Sequence, residues 1–141
     1  MPDHLFVYGT LRADSAHPMA HRLRVGARLV GKASAPGLLY DLGEYPGALF
    51  APEEKYRVVG EVYALEAPRL LADLDKYEGT APPDEHGEAL FERIAIEVKL
   101  QNGGKVNAWA YGLKKPLRAR LIGSGDFIAD RRVRNPRPVR P

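Results

Sequence analysis

Two segments of this chain carry residue types that could do chemistry together. Tyr8-Gly9-Thr10-Leu11 follows an apolar run and bends through Gly9, where a missing Cβ allows a sharp turn and a close ligand approach. Consecutive backbone N–H groups after such a turn point into one concavity and suit a carboxylate or a polarised carbonyl oxygen. Further along, Leu74-Asp75-Lys76-Tyr77-Glu78-Gly79 ends an amphipathic stretch with a carboxylate. A carboxylate at the C-terminal end of a helix meets the negative end of the macrodipole, which raises its pKa, as does desolvation by neighbouring aromatics such as Tyr77. A base whose pKa lies near the working pH is what proton transfer needs. Taken singly, each segment also has a plain structural account: a Gly-Thr turn closing an edge strand, and a solvated glutamate beside a helix cap.

The elements that must position these groups follow from periodicity. A buried strand is expected over His4–Tyr8, a short helix over Met19–Val25, and short strands over Arg28–Ala33 and Gly37–Leu42. Tyr56–Leu65 reads as a strand with Gly60 marking a bulge or a close approach. Phe91–Gln101 sets Ile94, Ile96, Val98 and Leu100 on one face and Arg93, Ala95, Glu97 and Lys99 on the other, and Asn102-Gly103-Gly104 turns it into a partner over Val106–Tyr111. A helix over Pro68–Tyr77 starts on a proline that loses no bond there, presents Leu70, Leu71, Leu74 and Tyr77 as one stripe, and stops at Gly79. Short strands around a few helices give an α+β class. A small mixed β-barrel with flanking helices is the expected architecture, because closure removes bare strand edges.

Composition narrows the alternatives. At 141 residues the chain suits one domain, expected over 1–130, with 131–141 as a basic, Pro-rich, flexible tail. The pI near 9.2 suggests nucleic acid until the charge is located. Arg131, Arg132, Arg134, Arg137 and Arg140 sit in the tail, so the net charge of +3 leaves about −2 for the body. Nucleic acid is therefore not expected as a partner, nor is a membrane, since no apolar run approaches ~20 residues. With no cysteine there is no disulfide, thiolate nucleophile or cysteine-ligated zinc. A cytoplasmic monomer is expected. His17 and His21 share an i, i+4 spacing without a third ligand, Ser34 and Ser124 lack a histidine placed to activate them, and Asp84 to Glu88 reads as a solvated loop or a lid.

The ordered series Val7-Tyr8-Gly9-Thr10-Leu11, Tyr45-Pro46-Gly47, Gly60 to Tyr63, Leu74 to Gly79, Arg93 and Ser124 to Phe127 resembles the gamma-glutamylcyclotransferase-like superfamily over about residues 4–128. Within it, the chain looks most like bacterial relatives of gamma-glutamylamine cyclotransferase. The resemblance implies cleavage of a gamma-glutamyl amide by attack of the substrate's own α-amine on its γ-carbonyl, releasing 5-oxoproline and an amine. It implies Glu78 as the catalytic acid/base, Tyr8, Gly9, Thr10 and Leu11 as the substrate-binding loop, a small-molecule gamma-glutamyl substrate, and no metal or organic cofactor. Phe91 departs from the tyrosine that many relatives carry two residues before the arginine, and the 79–91 loop is longer and more acidic than usual. Two other classes fit the same residues: a non-catalytic binding module for a small carboxylate metabolite, and a scaffold whose basic tail binds an acidic partner.

Overall fold

The computed structural model describes residues 3–9, 18–43, 45–67, 69–78 and 87–134, with the backbone alone for 18–20 and 131–134. Strand β1 (His4–Val7) lies between β4 (Arg57–Leu65), antiparallel, and β6 (Lys105–Leu113), parallel. β6 pairs with β5 (Phe91–Leu100), and β4 with β2 (Ala27–Asp41), in both cases antiparallel. The ring closes where β2 meets β5, at Ala33↔Leu100 and Ser34↔Lys99. β3 (Pro46–Phe50) and β7 (Arg120–Leu121) pair with the far half of β2. The chain thus forms the expected small mixed barrel, flanked by α1 (Pro18–Gly26), α2 (Leu70–Glu78) and α3 (Phe127–Arg134).

The period-2 pattern of the strands builds two cores. In β1, Phe6 points into the barrel with Ala33, Ala35, Val58, Val62, Val98, Ala108 and Ala110, as does Tyr8 just after the strand. Leu5 and Val7 point outward onto Leu23 of α1 and Leu70 and Leu74 of α2. Leu70 and Leu74 are fully buried, each contributing roughly 2 kcal/mol to the docking of α2. The leucine stripe seen in the sequence is therefore the face that fixes the helix carrying Glu78.

Several boundaries differ from expectation. The two strands expected over 28–33 and 37–42 are one, because Pro36 falls at the last β4 pairing (Pro36↔Arg57), where its missing N–H costs no ladder bond. There the strand passes from the barrel to its side sheet. α2 begins at Leu70 and runs through Glu78; Pro68 and Gly79 lie outside the described residues. α3 is capped by Asp126, whose Oδ1 accepts from Ala129 N at 3.1 Å, and it continues to Arg134, past the expected boundary at 130. Residues 135–141 lie outside the described part, and so do His17 and residues 84–86.

Gly60 marks a close approach. A Cβ there would stand 2.1 Å from the Val7 carbonyl oxygen and 2.9 Å from the Phe6 ring. We expect Gly60→Ala to push β1 off β4 and cost roughly 3 kcal/mol or more in denaturant unfolding. A variant of unchanged midpoint would show that the β1–β4 spacing is adjustable.

Candidate functional site

Glu78 is the last residue of α2, and the packing of Leu70 and Leu74 holds that end of the helix against the barrel rim. Tyr77 packs partly against the same cluster, which leaves Glu78 half-buried. Burial, and secondly the negative charge of Asp75, push its carboxyl from the usual 4.5 up to about 7. The sequence-level argument from desolvation is the larger cause, and a neighbouring acid adds to it.

Three tyrosines feel the charge of Glu78: Tyr8, Tyr45 and Tyr111. All three have their phenol pKa raised by burial first. Tyr8 donates its hydroxyl proton to the Tyr111 carbonyl and accepts from Ala48 N at 3.2 Å, tying β1, β6 and β3 together. Its ring meets Phe50 edge-on at 5.7 Å. Tyr8 thus stands beside Glu78 with its one proton already committed to the protein. The Tyr45 ring lies 6.1 Å from the Phe91 ring, so Phe91 supplies an apolar contact here.

Gly9 adjoins this centre for a reason different from the expected turn. Its φ is outside the left-handed region, and a Cβ would stand 2.8 Å from the Cδ and Cγ atoms of Pro46. Its missing side chain admits the Tyr45-Pro46 corner to the rim. Thr10 and Leu11 lie outside the described residues.

Sequence reasoning missed Asp75 and Tyr111 as members of the site. The Tyr111 hydroxyl donates to Asp75 Oδ1 at 2.6 Å, and Arg93 Nε lies 3.0 Å from the same oxygen as an ion pair. The Arg93 guanidinium rests 4.3 Å over the Trp109 ring. The available signal was spacing: Asp75 and Glu78 share a helix face at i, i+3, and Arg93 sits directly opposite Tyr111 across β5 and β6.

The other candidates have local roles. Ser34 Oγ accepts from Arg57 Nε at 2.8 Å, and Ser124 Oγ accepts from Asp126 N at 3.3 Å at the start of α3. Among the described residues, no group of three or more His, Cys, Asp or Glu is placed to hold a metal ion. No described helix is long and apolar enough to cross a membrane. Chemically, the arrangement offers a carboxyl that titrates near neutrality, faced by neutral hydroxyls at the mouth of a small barrel.

Two outcomes follow from this geometry. A carboxyl with a raised folded-state pKa binds an extra proton when folded, so its contribution to stability is full below about pH 4.5 and is lost as pH rises through about 7. Glu78→Gln removes that loss. We expect it to match the native protein near pH 4 and to exceed it near pH 8 by about 1–3 kcal/mol in unfolding experiments. Equal effects at both pH values would show that Glu78 is not a strained buried acid. Gly9→Ala should cost about 1–2 kcal/mol by displacing Pro46, a loss readable in thermal unfolding without any ligand.

The comparisons with known proteins converge on one family. The family model "Gamma-glutamyl cyclotransferase, AIG2-like" matches residues 5–129. A Halalkalibacterium halodurans protein provisionally named a gamma-glutamylcyclotransferase is 36% identical over 92 residues, covering 65% of this chain and 78% of that one. Among solved structures, YkqA from Bacillus subtilis superimposes with a TM-score of 0.72 at 23% identity over 97% of this chain. This chain spans only 44% of YkqA's length. An AIG2-like protein from Mus musculus gives a TM-score of 0.65 at 23% identity, covering 83% of this chain and 80% of that one. At these identities the structural matches speak to fold alone. The resemblance drawn from the ordered motifs is borne out.

Proposed function

Because the chain belongs to the gamma-glutamyl cyclotransferase, AIG2-like family, we propose that it is an enzyme that cleaves a gamma-glutamyl amide by internal cyclisation, with Glu78 as general acid/base. The observation that carries this reading is the half-buried Glu78 carboxyl at the end of α2, its pKa pushed up to about 7 by burial and by Asp75, with Tyr8, Tyr45 and Tyr111 within reach of its charge. A carboxyl with an ordinary pKa would be a poor match for an ammonium proton; one raised to about 7 is closer to it, with a substantial ionised fraction near neutral pH to act as the base.

The nucleophile belongs to the substrate, so the protein's task is to fold the substrate, move a proton and stabilise charge. Glu78 takes a proton from the α-ammonium. The freed amine attacks the γ-carbonyl carbon, forming the lactam C–N bond while the carbonyl electron pair moves onto oxygen. Collapse of that intermediate breaks the bond to the leaving amine, which receives the proton held by Glu78; the regenerated carboxylate takes the second proton from the ring nitrogen and passes it on, so that the lactam N–H is neutral and the amine leaves as an ammonium. Four N-bound protons enter and four leave, so no net proton is consumed. In this reading Tyr8 holds the rim in shape, and backbone N–H groups of residues 9–11 receive the polar end of the substrate. One such donor aimed at a developing oxyanion is worth roughly 3 kcal/mol.

The test is release of 5-oxoproline from a panel of gamma-glutamyl amines and dipeptides. We expect at least one to turn over, with an acidic limb in the rate near pH 7. Glu78→Gln should lower turnover on the order of 10²–10⁴-fold while remaining folded. A panel that binds without reacting would favour a binding module for carboxylate metabolites, and full activity in Glu78→Gln would remove Glu78 from the mechanism.

A further inference from the structure

The group beside Glu78 that the reaction itself does not use is Asp75, and its surroundings are unusually well defined for a carboxylate that is 41% exposed. Two elements of the barrel hold it. From β6 the Tyr111 hydroxyl donates to Oδ1 at 2.6 Å, and from β5 Arg93 Nε lies 3.0 Å from the same oxygen. Arg93 is itself held, since its guanidinium rests 4.3 Å over Trp109, and both aromatic partners lie on the outer face of β6. The cross-strand pairs Arg93↔Tyr111 and Ala95↔Trp109 place these three side chains on one face in register. Both contacts fall on Oδ1: a directed hydrogen bond from Tyr111 and the charge of Arg93, whose Nε makes no directed hydrogen bond among the described residues.

Helix geometry aims this charge. Side chains in an α-helix tilt toward its N-terminus, so Glu78 leans back over the turn that carries Asp75, three residues earlier. Among the described residues, the groups whose charge Glu78 feels or affects are the hydroxyls of Tyr8, Tyr45 and Tyr111 and the carboxylate of Asp75, with Arg93 acting on Tyr111 and paired with Asp75. The hydroxyls are neutral in the working range, as phenols ordinarily are, and burial raises their pKa further. Among the described residues, Asp75 is the carboxylate that adds to burial in raising the Glu78 pKa.

We propose that Asp75 is a positioning residue that sets the proton affinity of Glu78 through space, and that Arg93 and Tyr111 hold it at the distance where it does so. This rests on the reading of Glu78 as the acid/base. Without Asp75, the carboxyl would keep the contribution of burial and lose that of its neighbour. It would then be a weaker base for the ammonium and a stronger acid toward the leaving amine.

The experiment follows the Glu78 carboxyl by ¹³C NMR titration in the free protein, beside the pH dependence of turnover. Asp75→Asn keeps the shape and an oxygen that can accept from Tyr111 while removing the charge. The Glu78 titration should move down by about 0.5–1 pH unit, the acidic limb of the rate should follow by the same amount, and turnover above that limb should stay within several-fold. An unmoved Glu78 titration overturns the proposal. A titration that moves while the rate limb stays put supports the coupling and overturns Glu78 as the base, so the two readings fail separately. If Asp75→Asn does not fold, Asp75→Ser, which also removes the charge, takes its place: the Glu78 titration should fall, and one that rises or stays fixed overturns the proposal equally.

Discussion

A five-membered ring of strands leaves little room inside, and the rest of this structure follows from how that room is filled. Tyr8 and Phe6 take much of the space, and the positions around them are small: Ala33, Ala35, Ala48, Ala108 and Ala110. Alternation of large and small side chains lets so narrow a barrel close at native density. Gly60 is the limiting case, a point where even a methyl group would strike the Val7 carbonyl. Closure then depends on the short contact between β2 and β5, at Ala33 and Ser34.

Filling the barrel with Tyr8 has a consequence at its mouth. A buried phenol must satisfy its hydroxyl, and this one reaches the Tyr111 carbonyl and the Ala48 amide. The same hydroxyl that completes the core therefore ties β6 and the side strand β3 to the end of β1. It places the backbone of Tyr111, and with it the outward side chain that holds Asp75. Core packing and site geometry are two results of one side chain.

The outer face contributes in a different way. Leu5, Val7 and Tyr63 give α2 an apolar bed, and Leu70 and Leu74 lock it there with its C-terminal end at the rim. That docking half-buries a carboxylate at the helix end that disfavours negative charge, with a second carboxylate one turn away. Burial of apolar surface is what stabilises the arrangement, because the acid pair by itself opposes it. A site of this kind requires the helix face beside it to be strongly packed, which matches two leucines with no exposed surface.

Much of this was legible in the amino-acid sequence because it is local. The period-2 pattern of β5, the Asn102-Gly103-Gly104 turn, the leucine stripe of α2 and the position of Glu78 at its end all follow from residues within a few places of one another. The order of the motifs along the chain was enough to point to the family. What only the tertiary structure decided is non-local. The strands expected over 28–33 and 37–42 left a break across 34–36, yet β2 continues through it because its pairing partner changes at Pro36. Asp126 could be recognised as a cap only once α3 was seen, since the arginines after it read as a tail. Gly9 read as a turn that frees the backbone for a ligand, while its neighbour in space is Pro46, reached only after β2 has crossed the barrel. The partnership of Asp75 with Arg93 and Tyr111 joins a helix to two strands. Spacing sets Asp75 beside Glu78 and Arg93 opposite Tyr111, but it does not bring the two pairs together, because the register of β5 against β6 and the docking of α2 must both exist before the three side chains can meet.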